Sequence, residues 1–213
     1  MTSAIYPSLK GKRVVITGGA TGIGSGLVAA FVKQGAKVSF IDVQVEEGRA
    51  LEEKLSGAEA PPAFHACDLR DPGALAAFFD DAGPVDVLVN NAGNDDRHKL
   101  EDVTAEYWDD RIAVNLRHML LSAKAVATGM KRLGGGAIIN FGSISWHLGL
   151  PDLVVYETAK AGIEGMTRAL ARELGPFNIR VTTVVPGNVR TPRQSKWYTA
   201  EGEAEIVSQQ CLK

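Results

Sequence analysis

Six short runs of the chain are apolar almost throughout, with little of the alternation of a half-exposed strand, and stretches with helical spacing separate most of them. The runs are RVVIT (13–17), AKVSFID (36–42), AFHACD (63–68), VDVLVNN (85–91), AIINFGS (137–143) and IRVTTVV (179–185). A strand that is apolar on both faces needs cover on both, and strands that alternate with helices pair in parallel. The pattern therefore predicts an α/β fold with one doubly wound parallel sheet of the Rossmann type, formed by residues 1–213 as a single domain. Between the runs, GSGLVAAFVKQG places Leu27, Ala30, Phe31 and Gln34 at helical spacing with Gly35 as a C-cap. EEGRALEEKLSG predicts a helix ending at Gly57, and DPGALAAFFDDAG one opened by Asp71 as N-cap and Pro72 at its first position. Longer helical stretches cover residues 104 to about 133, closed by GGG, and residues 153–175. No repeat, low-complexity segment or interdomain linker interrupts the pattern.

Composition narrows the setting. A formal net charge of −2 gives no electrostatic footprint for nucleic acid or an anionic membrane. Cys67 and Cys211 are isolated, which predicts neither a disulfide framework nor a zinc knuckle and fits a reducing compartment. The opening MTSAIYPSLKGKR carries no apolar leader, and no run is long enough to cross a bilayer. The expectation is a cytoplasmic protein without membrane or nucleic-acid partners.

In such a fold, ligands bind beyond the carboxyl ends of the strands. That rule selects 17–24, Asp42, Asp68, 90–99, 141–147 and 186–191. TGGATGIG carries glycines at Gly18, Gly19, Gly22 and Gly24, which suit a sharp turn, a close approach of backbone amides to a pyrophosphate, and a helix N-terminus facing that anion. Its spacing is not GxGxxG, and a plain strand-to-helix turn is the competing reading. Asp42, about 20 residues beyond the glycine turn, suits the diol of an adenine ribose and would repel a 2′-phosphate. No Arg or Lys in ATGIG or DVQVEE offsets it, so NAD is favoured over NADP. Asp42 and Asp68 also suit simple helix caps. YETAK places Tyr156 and Lys160 four apart on one helix face, where an ammonium would favour the phenolate. Ser143 stands at the end of the fifth strand, and Asn115 lies in a helix where its propensity gains nothing.

TGGATGIG, Asp42, Asp68, NNAG, Asn115, Ser143, YETAK and PGNVRT, in this order and over essentially the whole chain, resemble the short-chain dehydrogenase/reductase family. The resemblance implies an Asn115–Ser143–Tyr156–Lys160 tetrad. In it, Ser143 orients the substrate oxygen, Tyr156 is the base, Lys160 lowers the tyrosine pKa and binds nicotinamide ribose, and Asn115 holds a water leading to solvent. It implies NAD held by Gly18, Thr21, Gly22, Ile23, Gly24, Asp42, Asp68, Leu69, Asn91, Ala92, Gly93, Tyr156, Lys160, Pro186, Val189 and Thr191. The carboxamide would rest against Val189 and Thr191.

The substrate is read from the loops. NDDRHK, WHLGL and PRQSKWY offer Asn94, Asp95, Asp96, Arg97, His98, Trp146, His147, Gln194, Trp197 and Tyr198, donors and acceptors with aromatic faces, as a small polyhydroxylated ligand requires. Asn94, Arg97, Ser143, Trp146, His147, Tyr156, Asn188 and Gln194 are the substrate-binding candidates. A metal on Asp95, Asp96 and His98 is a weaker reading, because adjacent residues rarely converge, and no metal is expected. His65 and His118 read as structural. NNAGNDDRHKL, NLRHML and INFGSISWHLGL resemble the bacterial NAD-dependent branch of the family that oxidises D-xylose at C1, which implies a lactone product. Other aldoses such as L-arabinose or a hexose, a small polar carbonyl, and a non-catalytic NAD-binding scaffold are the competing readings. The family also implies a homodimer or homotetramer through two long helices, where Ala161, Gly162 and Gly165 permit close approach. Its members continue past SQQCLK with a helix and a final edge strand, so an exposed sixth strand and a shortened lid after Thr191 are expected here.

Overall fold

The structure is a computed structural model, and it describes residues 4–196 and 199–212. Six strands form one parallel sheet: β1 (Arg13–Thr17), β2 (Lys37–Asp42), β3 (Ala63–Ala66), β4 (Val87–Asn90), β5 (Gly136–Phe141) and β6 (Ile179–Val184), in the order β3-β2-β1-β4-β5-β6. The order reverses between β1 and β4, and a cleft opens at such a switch point beyond the strand ends. Successive β1 residues serve opposite layers, as a two-faced strand must. Val14 and Ile16 pack with Val28 and Val32 of α1 (Gly22–Lys33) and with Leu51 of α2 (Val45–Lys54). Val15 packs on the other side with Leu75 and Phe79 of α3 (Pro72–Ala82), Ala123 and Val126 of α5 (His118–Arg132), and Leu174 of α7 (Val154–Leu174).

The local signals hold at the helix ends. Asp71 Oδ1 accepts from the amides of Gly73 (2.7 Å) and Ala74 (3.1 Å), with Pro72 at the first position. Gly35 takes φ +75° just past α1. The region from 104 to 133 is one helical run with an interruption. Thr104 caps α4 (Ala105–Ile112), a π-helical turn covers Ala113–Arg117, and α5 continues it. A short α6 (Ser145–Leu148) follows β5, and α8 (Ala200–Ser208) comes last.

β6 ends the sheet. Ile179 and Val181 are buried against α7, whereas Arg180, Thr182 and Val184 are exposed on the other face, Val184 to 43%. The burial alternates along this strand, unlike the continuous burial of β4, because only one of its faces is covered among the described residues. No helix of the described residues is long and apolar enough to cross a membrane.

Candidate active site

Two neighbouring strand ends are stitched together at the switch point. Thr17 Oγ1 accepts from the amides of Asn91 and Ala92, both at 3.1 Å, and Asn91 Nδ2 donates to the carbonyls of Thr17 (3.1 Å) and Gly18 (2.9 Å). The turn after β1 is thereby fixed against the turn after β4. Gly18 has φ +64°, and a Cβ there would stand 2.7 Å from Ala92 Cα; a Cβ on Gly24 would overlap Gly18 O. Glycine at these two positions lets the α1 N-terminus sit directly over the strand ends, with the first helical amides facing outward, as an anionic dinucleotide requires. An open groove of about 430 Å³ runs beside that N-terminus, lined by Thr21, Gly22, Lys54, Arg190 and Thr191 among others.

Asp42 closes the turn from the β2 side. It is 7% exposed; Oδ2 accepts from Ala20 N (3.0 Å) and Oδ1 from Gln44 N (3.1 Å). A carboxylate has about four acceptor positions, so both oxygens keep capacity for ribose hydroxyls. These residues fit a nicotinamide dinucleotide. Asp68 is more committed: Arg70 engages both its oxygens, at 2.8–3.1 Å, and that contact holds its carboxyl below the usual range.

Two of the four positions expected to form the tetrad, Asn115 and Lys160, meet beside Gly93, while Tyr156 lies against Lys160 and Ser143. A Cβ on Gly93 would lie 3.2 Å from Asn115 Oδ1 and 3.3 Å from Lys160 Nζ, so the absence of a side chain there is what admits both groups. Asn115 is fully buried. Its Oδ1 accepts from Asn94 N (2.8 Å), and its Nδ2 donates to the carbonyls of Asn94 and Arg111, both at 3.0 Å. The Arg111 carbonyl, four residues back, is thus taken by a side chain, which accompanies the π-helical turn at this point. Lys160 is 3% exposed; its Nζ donates to Phe141 O at 2.8 Å and lies 5.4 Å from the centre of the Tyr156 ring. Burial pulls its pKa down to about 8, against an opposing pull from Asp95. Ser143 Oγ shares a hydrogen bond with Ser145 Oγ at 2.9 Å and accepts from Ser145 N at 3.2 Å.

Tyr156 departs from the simplest expectation. Burial pushes its pKa up to about 12; Ser143 and Arg193 lower it, while Asp95 and Glu157 raise it further. Lys160 is not among the groups that shift the phenol in this state; its Nζ donates to Phe141 O. Beneath the tetrad, His118 is fully buried. Burial first, then the Lys160 charge, drive its pKa to about 3, opposed by the nearby carbonyls of Ala113 and Val114. Neither ring nitrogen meets a partner in hydrogen-bond geometry among the described residues. A pKa that low leaves the imidazole neutral at physiological pH.

The polar loops divide. Arg193 takes Asn94, Asp95 and Asp96 together, and Gln194 Nε2 donates to Asp95 Oδ2 at 2.7 Å. Arg97, by contrast, donates to Pro151 O (3.0 Å) and ties two loops. Trp146 Nε1 and His147 Nε2 both lie 2.9 Å from Glu164 Oε1, with their rings 3.8 Å apart, so both are anchored to α7. His98 Nε2 accepts from Val155 N (3.2 Å), which leaves the proton on Nδ1, 3.0 Å from the Tyr107 hydroxyl. Asp95 and Asp96 share Arg193, whereas His98 is engaged by Val155 N and the Tyr107 hydroxyl. Asn188 and Val189 are exposed on the segment after β6; Trp197 and Tyr198 lie outside the described residues. Arg193, Arg111 and Glu164 were missed in the sequence. A cation facing two consecutive acidic residues was the available signal for Arg193. Alternating charges run from the β3 end to the pocket mouth as Asp68–Arg70–Asp110–Arg111–Asp96–Arg193–Asp95.

The chain is similar in sequence and fold to known proteins. A family model described as short chain dehydrogenase matches residues 12–202. A D-xylose 1-dehydrogenase of Caulobacter vibrioides is 71% identical over 213 residues, covering all of this chain and 86% of that protein. A candidate galactose dehydrogenase of Rhizobium meliloti is 47% identical, with the same coverage of 100% and 86%. A solved structure titled as a candidate short-chain alcohol dehydrogenase from Sinorhizobium meliloti superposes with a TM-score of 0.86 at 33% identity, over 92% of this chain and 80% of that one. With the switch-point topology and the glycine turn in place, the chain belongs to the short-chain dehydrogenase family, whose members are nicotinamide-dependent oxidoreductases.

Proposed function

We propose that this enzyme oxidises the anomeric C1 hydroxyl of an aldopentose, D-xylose foremost, to its lactone with NAD. The observation that carries the reading is the polar mouth over Tyr156, where Asn94, Asp95, Asp96, Arg193 and Gln194 gather donors and acceptors in place of an apolar lining. The 71% and 47% identities to proteins named for xylose and galactose oxidation support a sugar as the class. The buried Asp42 carboxylate at the end of β2 supports NAD, since a 2′-phosphate there would meet a fixed negative charge.

A bound nicotinamide dinucleotide supplies the hydride acceptor. Gly18, Thr21, Gly22, Ile23 and Gly24 would hold its phosphates, and Asp42 its adenine ribose. Asp68, Leu69, Asn91, Ala92, Gly93, Pro186, Val189 and Thr191 would form the remaining walls. Tyr156 takes the C1 hydroxyl proton as the C1–H electron pair departs, leaving the lactone C1=O. Ser143 donates to the reacting oxygen and favours the phenolate. Lys160, with pKa about 8, is mostly protonated at neutral pH and supplies the positive charge beside the phenol. One of its N–H groups is held by Phe141 O, leaving two for ribose hydroxyls and the Asn115 side. Trp146 and His147, fixed by Glu164, together with Asn188 and Gln194, would line the substrate pocket. Assembly as a homodimer or homotetramer through the α4–α5 run and α7, and a cytoplasmic setting that suits two unpaired thiols, belong to the same reading.

A panel of pentoses and hexoses with NAD or NADP, followed by the absorbance of reduced nicotinamide, tests it. D-xylose with NAD is expected to give the highest kcat/KM. Turnover of no sugar refutes the function, NADP preference refutes the reading of Asp42, and a hexose optimum favours the galactose-like alternative.

A further inference from the structure

Two segments meet at the mouth of the pocket through one arginine. Arg193 Nε lies 2.9 Å from Asp95 Oδ1, and its Nη2 donates to Asp96 Oδ1 at 2.8 Å and to Asn94 Oδ1 at 3.0 Å. Gln194 Nε2 takes the other Asp95 oxygen at 2.7 Å. Asp96 is held from behind by Arg111 at 3.4 Å, and the Asn94 backbone is held on both sides by Asn115. The two carboxylates are held differently. Asp96 is braced between two cations, whereas the field of Asp95 reaches both Tyr156 and Lys160. Asp95 directly follows Asn94, whose backbone is bonded to Asn115, on the loop that begins at Gly93, where a Cβ would meet Asn115 Oδ1 and Lys160 Nζ; the loop that carries Asp95 therefore borders these groups.

We propose that Asp95 is the specificity-determining residue, its carboxylate accepting the hydroxyl on C2, next to the carbon oxidised, with Arg193 and Gln194 as positioning residues. The proposal rests on the sugar reading above. Each Asp95 oxygen has one acceptor position filled by a side chain and keeps another open; its side chain is 28% exposed at the mouth. An ionised carboxylate can only accept, so it selects a substrate that presents a donor. A substrate lacking that donor leaves a partly desolvated charge one bond short, which discriminates far more strongly than a lost methylene. The planar guanidinium of Arg193 bonds three acceptors at once, which fixes the rotamer of Asp95 as a lysine would not.

The test compares kcat/KM for D-xylose and its 2-deoxy analogue in the wild-type chain, Asp95→Ala, Asp95→Asn and Arg193→Ala, with folding checked by thermal unfolding. The wild type is expected to prefer D-xylose by roughly 30- to 100-fold. Asp95→Ala is expected to bring the preference to within about threefold, chiefly through KM. Asp95→Asn, which keeps the shape and an acceptor for Gln194, should lose roughly tenfold of it, and it decides the matter if the alanine variant does not fold. Arg193→Ala should raise KM for D-xylose more than for the deoxy sugar, with partial recovery in Arg193→Lys; equal effects on both sugars would leave Arg193 a purely structural tie. An undiminished preference in Asp95→Ala or Asp95→Asn overturns the proposal while the sugar reading stands. Failure of the wild type to oxidise either pentose overturns the sugar reading, and the proposal with it.

Discussion

Replacing Lys160 by Met tests the electrostatics of the buried tetrad without any ligand. The ammonium sits 3% exposed with a pKa drawn from 10.5 to about 8 by burial. At about 1.36 kcal/mol per pH unit, keeping it charged costs the folded state about 3 kcal/mol. The sign follows from proton counting. Between pH 8 and 10.5 the unfolded chain binds more protons at this site than the folded one. The cost is therefore complete below pH 8, shrinks through that window and is gone above it, so the wild type gains stability as pH rises. Methionine has a similar volume and no charge, and its variant lacks this gain. It also leaves Phe141 O without its 2.8 Å donor, a pH-independent loss of about 1–3 kcal/mol. The two variants should thus be comparable near pH 7.5, and the wild type should gain about 2 kcal/mol on the mutant by pH 10. For a chain of this size that is roughly 4–8 °C in Tm. Thermal unfolding of the cofactor-free protein, followed by circular dichroism from pH 7 to 10, gives the difference. The upper limit stays below the window from 10 to about 12, where the raised Tyr156 pKa makes stability fall with pH. Curves that remain parallel within 1 °C would refute the reasoning.

Tyr156→Phe should abolish sugar oxidation while reduced cofactor still binds, as read by its fluorescence; retained turnover would remove Tyr156 as the base. Gly24→Ala drives a Cβ into Gly18 O and should cost more than about 2 kcal/mol, seen as a fall in Tm of roughly 4–8 °C together with weakened cofactor binding. An unchanged melting curve would show that the turn can relax around it. Thr104→Ala removes the side-chain acceptor of Tyr107 N (3.1 Å) at the start of α4, an expected loss of about 1 kcal/mol and roughly 2–4 °C in Tm.

Much of the fold was legible because its signals are local. Asp71 with Pro72, and Gly35 past the end of α1, mark helix ends through interactions that span only a few residues. Continuous apolar runs identified strands needing cover on both faces, and β4 is buried along its whole length as that requires. The tetrad positions were legible only through the resemblance to a family, since Tyr and Lys four apart on a helix say nothing alone. The long helix from 104 was legible as a helix, but its π-helical turn was not: that turn goes with the Asn115 side chain reaching a carbonyl of another loop, Asn94 O.

Pocket residues were the hardest to read, because a polar loop side chain can face ligand, solvent or another loop with the same local sequence. Local sequence marks Arg97, Trp146 and His147 as polar loop residues but does not tell that Pro151 O and Glu164 hold them. Arg193 was passed over, yet it gathers three side chains almost a hundred residues earlier. The sequence by itself determined the elements, their parallel pairing and the chemistry available at the strand ends, because periodicity and turn chemistry act along the chain. Only the tertiary structure decided that Lys160 spends one N–H on Phe141 O, that burial holds Tyr156 near pKa 12, and that Asp95 is the acidic side chain whose field reaches both. Desolvation and long-range pairing depend on what packs around a group, and no local pattern encodes that.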